Sequence, residues 1–275
     1  MSLSELFNPH RYDDPEWRAL HEEIATYSVD KHVFLPNIYR KGWEWTQIAY
    51  ALTKLHKLQR RRKALGVAVG HEALLFWLAD RLEVVVGTDL FGNATWFSDT
   101  DPTADPSILL HPEKYCPRPY NTGALHLVPM DGLRLGFKDN TFDIVWSTSS
   151  IEHFGGHAAT AEAIREQARV LRRGGILAVV TEYLLLDEYS HPEYLTRREI
   201  EEFIIGAADD LELIEPIDYK LPPVEYLIDS VIMPSGRHRT RRAAVLNDGN
   251  VQWTSIAVFL RKRRRIAWPT RVPRT

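Results

Sequence analysis

The residues best suited to chemistry flank a small-residue turn near the start of an alternating α/β pattern. The run Ala64-Leu-Gly-Val-Ala-Val-Gly-His-Glu72 precedes a helix-like apolar segment up to Ala79, and a second β-rich run, Val84-Val-Val-Gly-Thr-Asp89, ends in a carboxylate. Backbone N–H groups at such a turn and at the helix N-terminus can face a ligand. An acidic side chain after the next strand can accept hydrogen bonds from ribose hydroxyls. The pattern therefore predicts a site for a nucleoside-bearing cofactor.

Three further motifs follow this unit in the chain. They are Met130-Asp-Gly132, the segment 139–154 that ends in Ser-Ser-Ile-Glu-His-Phe, and the segment 168–177 that ends in Arg-Arg-Gly-Gly-Ile-Leu. In this order they resemble the class I S-adenosylmethionine-dependent methyltransferases, particularly their small-molecule, methyltransferase type 11-like branch. The resemblance covers roughly residues 60–185. It implies a Rossmann-like, mostly parallel sheet with helices on both faces, and S-adenosyl-L-methionine as the cofactor.

The resemblance also implies a set of cofactor-binding positions. Asp89 would bind the ribose hydroxyls, the alternative being an aspartate that only closes the turn after its strand. Asp131 would accept a hydrogen bond from the adenine amino group. The turn alone would also suit a nicotinamide dinucleotide enzyme, but its glycines do not match G-x-G-x-x-G, and the later motifs have no counterpart there. The predicted cofactor-binding residues are Gly66, Val67, Ala68, Gly70, Glu72, Asp89, Leu90, Met130, Asp131, Gly132, Ser147 and Thr148.

The turn departs from the family pattern. Gly66 stands where most members have an acidic residue, Ala68 and Gly70 stand at the first two glycines, and Glu72 stands at the third. The acid has thus moved across the turn. We expect Glu72 to pair with the methionine ammonium of the cofactor, since a buried cation needs a carboxylate partner. The alternative is that Glu72 only caps the following helix and interacts with its dipole.

His153 is the candidate catalytic residue. It follows the fourth predicted strand, close to where the methyl donor should point, and a neutral imidazole there could take the proton of an attacking hydroxyl. A packing or positioning role is the alternative. His153 and His157 have the spacing of a metal pair, but Gly155-Gly156 interrupts the helix that such a pair needs. No metal is therefore predicted.

The segment Ile38-Tyr-Arg-Lys-Gly-Trp-Glu-Trp45 combines cations and aromatic rings. Arg40 or Lys41 could bind an anion or the cofactor carboxylate, and Tyr39, Trp43 or Trp45 could provide a stacking wall. An amphipathic helix whose tryptophans cover the sheet edge is an equal alternative. Arg40, Trp43 and Tyr183 are the candidate substrate residues.

The secondary-structure pattern must position these residues. A helical preamble over residues 15–58, interrupted near Leu35-Pro36, precedes an alternation that argues for a parallel sheet. The turn 247–250 before a late strand indicates an antiparallel hairpin at the end of the sheet, and Thr196 with Glu199 forms a capping box. Gly174-Gly175 should end a helix at Arg173 and begin the fifth strand. The predicted strands are 65–69, 84–88, 125–128, 142–147 and 176–181, with helices at 72–80 and 158–171.

Composition and domain organisation narrow the function. The chain has 275 residues, a net charge of -3 and one cysteine, Cys116. A weakly acidic chain is not a typical polyanion binder, the single thiol fits a reducing compartment, and no apolar run predicts a membrane span or leader. We expect a cytoplasmic protein of undetermined oligomeric state. It would have a helical extension (1–58), a methyltransferase domain (59–265) with irregular insertions over the site (91–120 and 216–240), and a tail (266–275).

The predicted function is O-methylation of a saccharide, a glycoside or another small hydroxylated acceptor. The helical preamble and the irregular insertions should cover the site, and their aromatic residues with scattered polar groups favour such acceptors. Three alternatives stay open: a lipid acceptor, a non-catalytic module that binds S-adenosylmethionine or a nucleoside, and modification of nucleic acid. The last is the weakest, because the chain offers only two short basic runs, 60–63 and 261–265.

Overall fold

The structure is a computed structural model. It describes residues 2–35, 38–92, 105–186, 188–228, 231–232, 244–247 and 249–264. The predicted tail 266–275 lies outside the described residues. So do residues 93–104 of the predicted insertion 91–120, and residues 229–230 and 233–240 of the insertion 216–240.

One mixed sheet organises the described chain. Its strand order is β4-β3-β2-β5-β6-β10-β9-β8, and β1 and β7 also pair with β10. Strands β2 to β6 are mutually parallel, whereas β10 is antiparallel to β6. The predicted Rossmann-like sheet with a late antiparallel strand is therefore confirmed. The strands are β1 (Glu5–Leu6), β2 (Lys63–Val67), β3 (Val84–Asp89), β4 (Leu125–Pro129), β5 (Phe142–Thr148), β6 (Leu171–Leu184), β7 (Leu211–Leu213), β8 (Val231–Ile232), β9 (Leu246–Asn247) and β10 (Gln252–Lys262).

Helices cover both faces of the sheet, because successive strand residues point to opposite faces and each face carries its own apolar set. Helices α1, α3 and α4 share one core with alternate strand residues such as Ala64 and Val85. Helix α5 and the turns after α6 share the other core with Leu65 and Val86. The helices are α1 (Pro15–Ala25), α2 (Lys31–Phe34), α3 (Arg40–Lys54), α4 (Ala73–Ala79), α5 (His157–Val170), α6 (Arg197–Ile200) and α7 (Val224–Ile228).

Local sequence signals account for several element boundaries. Asp14 accepts hydrogen bonds from the first backbone N–H groups of α1, whose first residue is a proline. The predicted capping box at Thr196 and Glu199 is present at the start of α6, which continues as a π-helical turn over Glu201–Ile205. The predicted late hairpin is confirmed, since Gln252 pairs with Asn247 in antiparallel register.

The junction between α5 and β6 differs from the prediction. The helix ends at Val170 instead of Arg173, and β6 begins at once at Leu171. The Gly174-Gly175 pair lies inside the strand, where Gly174 has a φ of +78°, and the pairing with β5 shifts register there. The two glycines therefore accommodate an irregularity within a long strand and do not reverse the chain.

The carboxyl ends of β2, β3 and β5 lie at one edge of the sheet, as the parallel pairing requires. β6 extends beyond β5, and its last residues pair with the first half of β10. Helix α3 packs against β10. This edge therefore brings the turn after β2, the ends of β3 and β5, and the N-terminal part of α3 into one region.

Candidate functional site

The turn after β2 has the backbone form that a close ligand approach requires. Ala68 and Gly70 both have positive φ angles, +55° and +52°, a conformation that alanine adopts at a cost of about 1 kcal/mol relative to glycine. The Ser150 hydroxyl, after β5, lies 2.9 Å from both the Ala68 and the Thr148 carbonyl oxygens and shares its one hydrogen between them. The hydroxyl ties the turn to the end of the neighbouring strand.

Asp89 holds the turn from the end of β3. Its Oδ2 accepts a hydrogen bond from the Gly70 N–H at 2.8 Å, and its Oδ1 accepts one from the Leu90 N–H at 2.7 Å. Burial raises the pKa of Asp89, while these backbone donors lower it. The side chain is 9% exposed. A carboxylate has about four lone-pair sites, so Asp89 can close the turn and still accept from a ribose hydroxyl. The two alternatives for this residue are compatible.

A tryptophan occupies the space next to Gly66. A Cβ atom at Gly66 would lie 2.4 Å from the Trp146 ring and 2.3 Å from Val69, closer than any side chain can be accommodated. The Trp146 indole N–H donates to Glu72 Oε1. Gly66, Trp146 and Glu72 thus form one packed unit, in which the Trp146 ring fills the space beside Gly66 and donates to the Glu72 carboxylate.

Glu72 stands at the N-terminus of α4, but its side chain makes no capping hydrogen bond to the helix. Burial raises its pKa to about 7, against the hydrogen bond from Trp146 and the charge of Lys41. The capping alternative therefore does not describe its side chain. Glu72 is a buried carboxylate that lacks an ion-pair partner within 4 Å among the described residues.

The motif after β4 lies beside Asp89. The Met130 N–H donates to the Asp89 carbonyl at 2.9 Å, so that Asp131 follows directly. Asp131 is exposed and accepts the Leu133 N–H through Oδ1. Gly132 is buried, and a Cβ there would lie 2.5 Å from the Phe154 ring and 3.0 Å from Val67. Glycine thus permits the close packing of this loop against β2. Ser147 and Thr148 are both buried at the end of β5.

His153 lies in a short 3₁₀ turn after β5 and is 30% exposed. Its Nδ1 is 3.2 Å from Glu193 Oε1, an arrangement in which a carboxylate orients an imidazole. His157 pairs with a different carboxylate, Glu199, at 3.4 Å. Within the described part of the chain, no three His, Cys, Asp or Glu side chains are placed to hold a metal ion.

The residue before it, Glu152, was not among the predicted site residues. It is fully buried, and its Oε2 accepts the Thr181 hydroxyl at 2.9 Å. Burial raises its pKa to about 7, His153 opposes that shift and Glu182 adds to it. Its Oε1 is buried without a hydrogen-bond donor among the described residues. A buried, incompletely paired carboxylate at a strand end is typical of functional sites.

Helix α3 brings further charges to the same region. Arg40 contacts Glu182 on β6 and Glu44 one turn along its own helix, the latter at 3.1 Å. Lys41 lies 3.1 Å from the other oxygen of Glu44. Burial raises the pKa of Glu44, but Lys41 and Arg40 outweigh it and hold the pKa below its usual value. The predicted Arg40 thus binds anions, and in this structure the anions are two glutamates of the chain.

Two predicted substrate residues are not available to a ligand here. Trp43 is fully buried and its ring packs 5.5 Å from Phe7, so it belongs to the core, as the helix alternative supposed. Tyr183 is buried on the opposite face of β6, with its ring 5.9 Å from Tyr219. The described part of the insertion 91–120 does approach the turn, since the Tyr115 ring lies 5.2 Å from the His71 ring.

Glu44, Glu152 and Glu182 were not among the predicted site residues, and two of them do carry a signal in the sequence. Glu44 shares a helix face with Ile48 and Leu52, both fully buried, and a charge on an apolar face is unusual. Glu182 stands within an apolar strand. Glu152 has no such signal, because its neighbours Thr181, Glu182 and Lys41 come from distant parts of the sequence.

Comparisons with known proteins agree with this geometry. A family model described as a methyltransferase domain matches residues 65–179, and no functionally curated protein matches the sequence. No helix in the described ranges is long and apolar enough to cross a membrane.

Three solved structures illustrate the fold. A putative sarcosine dimethylglycine methyltransferase from Galdieria sulphuraria is 13% identical and has a TM-score of 0.54; the alignment covers 80% of this chain and 85% of the other. The YcgJ protein from Bacillus subtilis is 16% identical, with a TM-score of 0.52 and coverage of 78% and 98%.

The third is the geranyl diphosphate C-methyltransferase from Streptomyces coelicolor A3(2), solved with Mg²⁺, geranyl diphosphate and S-adenosyl-L-homocysteine. It is 16% identical, with a TM-score of 0.51 and coverage of 81% and 84%. At this sequence identity, the similarity to solved structures supports the fold alone. The match to the methyltransferase domain is what supports the activity. Residues 65–179 match a methyltransferase domain, which indicates an S-adenosylmethionine-dependent methyltransferase with S-adenosylmethionine as its cofactor.

Proposed function

We propose that the chain methylates a hydroxyl group of a small polyhydroxylated acceptor, such as a saccharide or glycoside. The observation that carries this proposal is the pair of buried carboxylates Glu152 and Glu182 at the ends of β5 and β6. Each has one oxygen atom without a hydrogen-bond donor among the described residues. Carboxylate oxygens that lack donors are suited to accept from acceptor hydroxyls.

The residues around the turn fit S-adenosylmethionine. Asp89 would accept from the ribose hydroxyls, Glu72 would pair with the methionine ammonium, and the exposed Asp131 would accept from the adenine amino group. The turn 66–70, with Val67, Leu90, Met130 and Gly132 around it, would lie against the nucleoside, and Ser147 and Thr148 would face the methionine end. When bound, the cofactor supplies an electrophilic methyl group on a sulfonium.

His153 is the proposed general base. Glu193 at its Nδ1 orients the ring, so that Nε2 is the nitrogen that would take the proton. The acceptor oxygen would take the methyl group as the S–CH₃ bond breaks, its hydroxyl proton would pass to His153 Nε2, and S-adenosylhomocysteine would be the released product. The remaining residues orient the reactants and exclude water.

Calorimetric titration tests the cofactor site with two ligands. S-adenosylhomocysteine carries the methionine ammonium, whereas 5′-methylthioadenosine keeps the ribose and lacks it. Asp89→Ala should weaken both ligands by about 100-fold, since a hydrogen bond to a charged group contributes about 1.5–3 kcal/mol. Glu72→Gln should weaken S-adenosylhomocysteine alone by about tenfold or more.

Asp13→Ala is the matched control, because Asp13 is an exposed aspartate in the N-terminal segment. Equal weakening of both ligands by Glu72→Gln would contradict its ammonium role. If the unmodified protein bound neither ligand, the enzyme assignment would fail and a non-catalytic module would replace it.

Turnover tests the acceptor and the base. Labelled S-adenosylmethionine with a panel of saccharides and glycosides should give O-methylated product. His153→Gln should lower kcat by about 100-fold and leave the affinity for S-adenosylhomocysteine unchanged. Methylated lipid or nucleic acid, with unmodified saccharides, would overturn the proposed acceptor class.

A further inference from the structure

Four buried glutamates meet at the carboxyl edge of the sheet, and we refer to Glu44, Glu72, Glu152 and Glu182 as the inner carboxylates. They come from α3, the turn before α4, the turn after β5, and β6. Each is at least nine-tenths buried. Their charges interact: Glu152 is influenced by Glu182 and by Lys41, and Lys41 also influences Glu72. They therefore share one electrostatic environment.

Among the described residues, two permanently cationic side chains form ion pairs with this cluster. Arg40 pairs with Glu44 and Glu182, and Lys41 pairs with Glu44. Glu72 and Glu152 form no ion pair within 4 Å among the described residues. With all groups ionised, four negative charges thus face two positive ones. A buried carboxylate without a compensating charge is strongly unfavourable, so two further cations would complete the cluster.

A second observation points to a ligand. Glu152 Oε1 and Glu182 Oε2 are both buried and accept no hydrogen bond from the described residues. Glu152 cannot turn away freely, because the Thr181 hydroxyl holds its other oxygen. Buried acceptor atoms in folded proteins nearly always have a donor. A donor that also carries positive charge would satisfy both the missing hydrogen bonds and the missing charge.

We propose that Glu152 binds an ammonium group of the methyl acceptor within the electrostatic influence of Glu182, so that the acceptor is an aminated polyol such as an amino sugar. This inference rests on the proposed function, since it assigns the methionine ammonium to Glu72. The cofactor's own carboxylate and sulfonium cancel each other. The ammonium groups of the cofactor and of the acceptor, together with Arg40 and Lys41, would then give four cations for the four inner carboxylates. Glu152 is a binding residue in this assignment, and His153 remains the base that acts on the hydroxyl.

The test compares acceptors that differ only in the charge of one nitrogen. The full chain is assayed with labelled S-adenosylmethionine and a panel of hexosamines and aminoglycosides, each as the free amine and as its N-acetyl derivative. Acetylation removes the positive charge and leaves the hydroxyls in place. We expect kcat/KM for the free amines to exceed that for the N-acetyl forms by about 100-fold, the range of a desolvated charge pair.

Variants of Glu152 then test whether this residue causes the preference for charged acceptors. Glu152→Gln should lower kcat/KM for the free amines by about 100-fold and for the N-acetyl forms by at most about tenfold, since these lose only a hydrogen bond. It should leave the affinity for S-adenosylhomocysteine unchanged. Glu152→Asp keeps the charge and should retain part of the preference. Glu16→Gln removes an exposed carboxylate and should change nothing. Thermal unfolding of each variant shows whether it is folded.

Equal use of neutral and charged acceptors would overturn the inference, as would a Glu152→Gln variant that loses both forms alike. Failure to methylate or bind any free amine, with cofactor binding intact, would also overturn it while leaving the proposed function standing. Absence of S-adenosylhomocysteine binding by the unmodified protein would instead remove the proposed function itself.

Discussion

Glu152 and Glu72 are carboxylates in surroundings that disfavour their charge, and burial is the largest cause for each. Such residues reduce the stability of the folded chain near neutral pH. Sites that bind cations commonly retain them because the ligand supplies the missing charge. The free energy of unfolding is therefore an independent measure of the role of Glu152.

Glu152→Gln should stabilise the protein without ligand above pH 7. Folding raises the pKa of Glu152 from 4.5 to about 7, so the stabilising proton is fully bound below pH 4.5 and is lost as the pH rises through 7. Glutamine keeps the neutral form at every pH. Denaturant unfolding should show a gain on the order of 1–3 kcal/mol at pH 8 and little difference at pH 4.5.

The exposed Glu16→Gln serves as the control and should lower the free energy of unfolding by at most about 1 kcal/mol, the range of a surface ion pair. A Glu152→Gln variant that is less stable than the unmodified protein at pH 8 would show that the carboxylate has a cationic partner within the chain.

The acidic site residues predicted from the sequence were those next to a recognisable motif. Asp89 stands at a strand end and Glu72 beside a small-residue turn, and the structure brings both carboxylates to that turn. Glu152 was not predicted as a site residue, although its neighbour His153 was. Its significance depends on Thr181 and Glu182 approaching from another strand, and no spacing along the chain encodes that approach.

At the scale of elements, Lys262 on β10 completes the C-terminal end of α5. Its Nζ is almost fully buried and donates to the carbonyls of Ala168 at 2.7 Å and Leu171 at 2.9 Å, and to Asn140 Oδ1 at 3.1 Å. Carbonyls at a helix end lack intrahelical donors, and a cation there also interacts favourably with the helix dipole. Helix and strand thus hold each other in place.

Lys262→Met should destabilise the protein by about 2–4 kcal/mol, because it leaves buried carbonyl oxygens without a donor. Urea unfolding measures the loss. Lys138→Met, at an exposed lysine between β4 and β5, should change the free energy of unfolding by less than about 0.5 kcal/mol. Similar values for both variants would show that Lys262 contributes no more than a surface lysine.

Element types followed from hydrophobic periodicity, but one boundary did not. β6 was expected from Ile176 and begins at Leu171, because pairing with β5 extends the strand through two glycines that locally favour a turn. At Gly175 a Cβ would lie 2.7 Å from the Arg172 carbonyl and 2.9 Å from the Asp143 carbonyl. Tertiary pairing outweighed local propensity there.

At the scale of the whole molecule, the N-terminal segment belongs to the sheet. Glu5 and Leu6 pair with Ala257 and Ile256 of β10, and Glu5 forms a buried ion pair with Arg11. Burial raises the pKa of Glu5, and Arg11 opposes that shift. A two-residue strand has no periodicity to detect, so the sequence indicated only a helical extension over 1–58. The domain boundaries themselves remain predictions.

Arg11→Met should lower the free energy of unfolding by about 3–5 kcal/mol, because it leaves the Glu5 carboxylate buried without its cation. Adding Glu5→Gln should recover part of that loss, and a double-mutant cycle of thermal and urea unfolding gives the coupling energy. Additive losses from the two single variants would show that the pair does not fasten the N-terminal segment to the sheet.

The unit formed by Gly66, Trp146 and Glu72 has a consequence for how this chain can vary. A side chain at Gly66 collides with Trp146, loss of the indole removes the hydrogen bond to Glu72 and opens a cavity, and removal of Glu72 leaves the indole N–H without its acceptor. Each single exchange is unfavourable, while a concerted exchange of all three positions could restore an acid on the strand. The three positions therefore form an epistatic unit. Moving the acid between the strand and the far side of the turn by one substitution at a time passes through less fit intermediates. Sequences with this turn should therefore retain all three residues together.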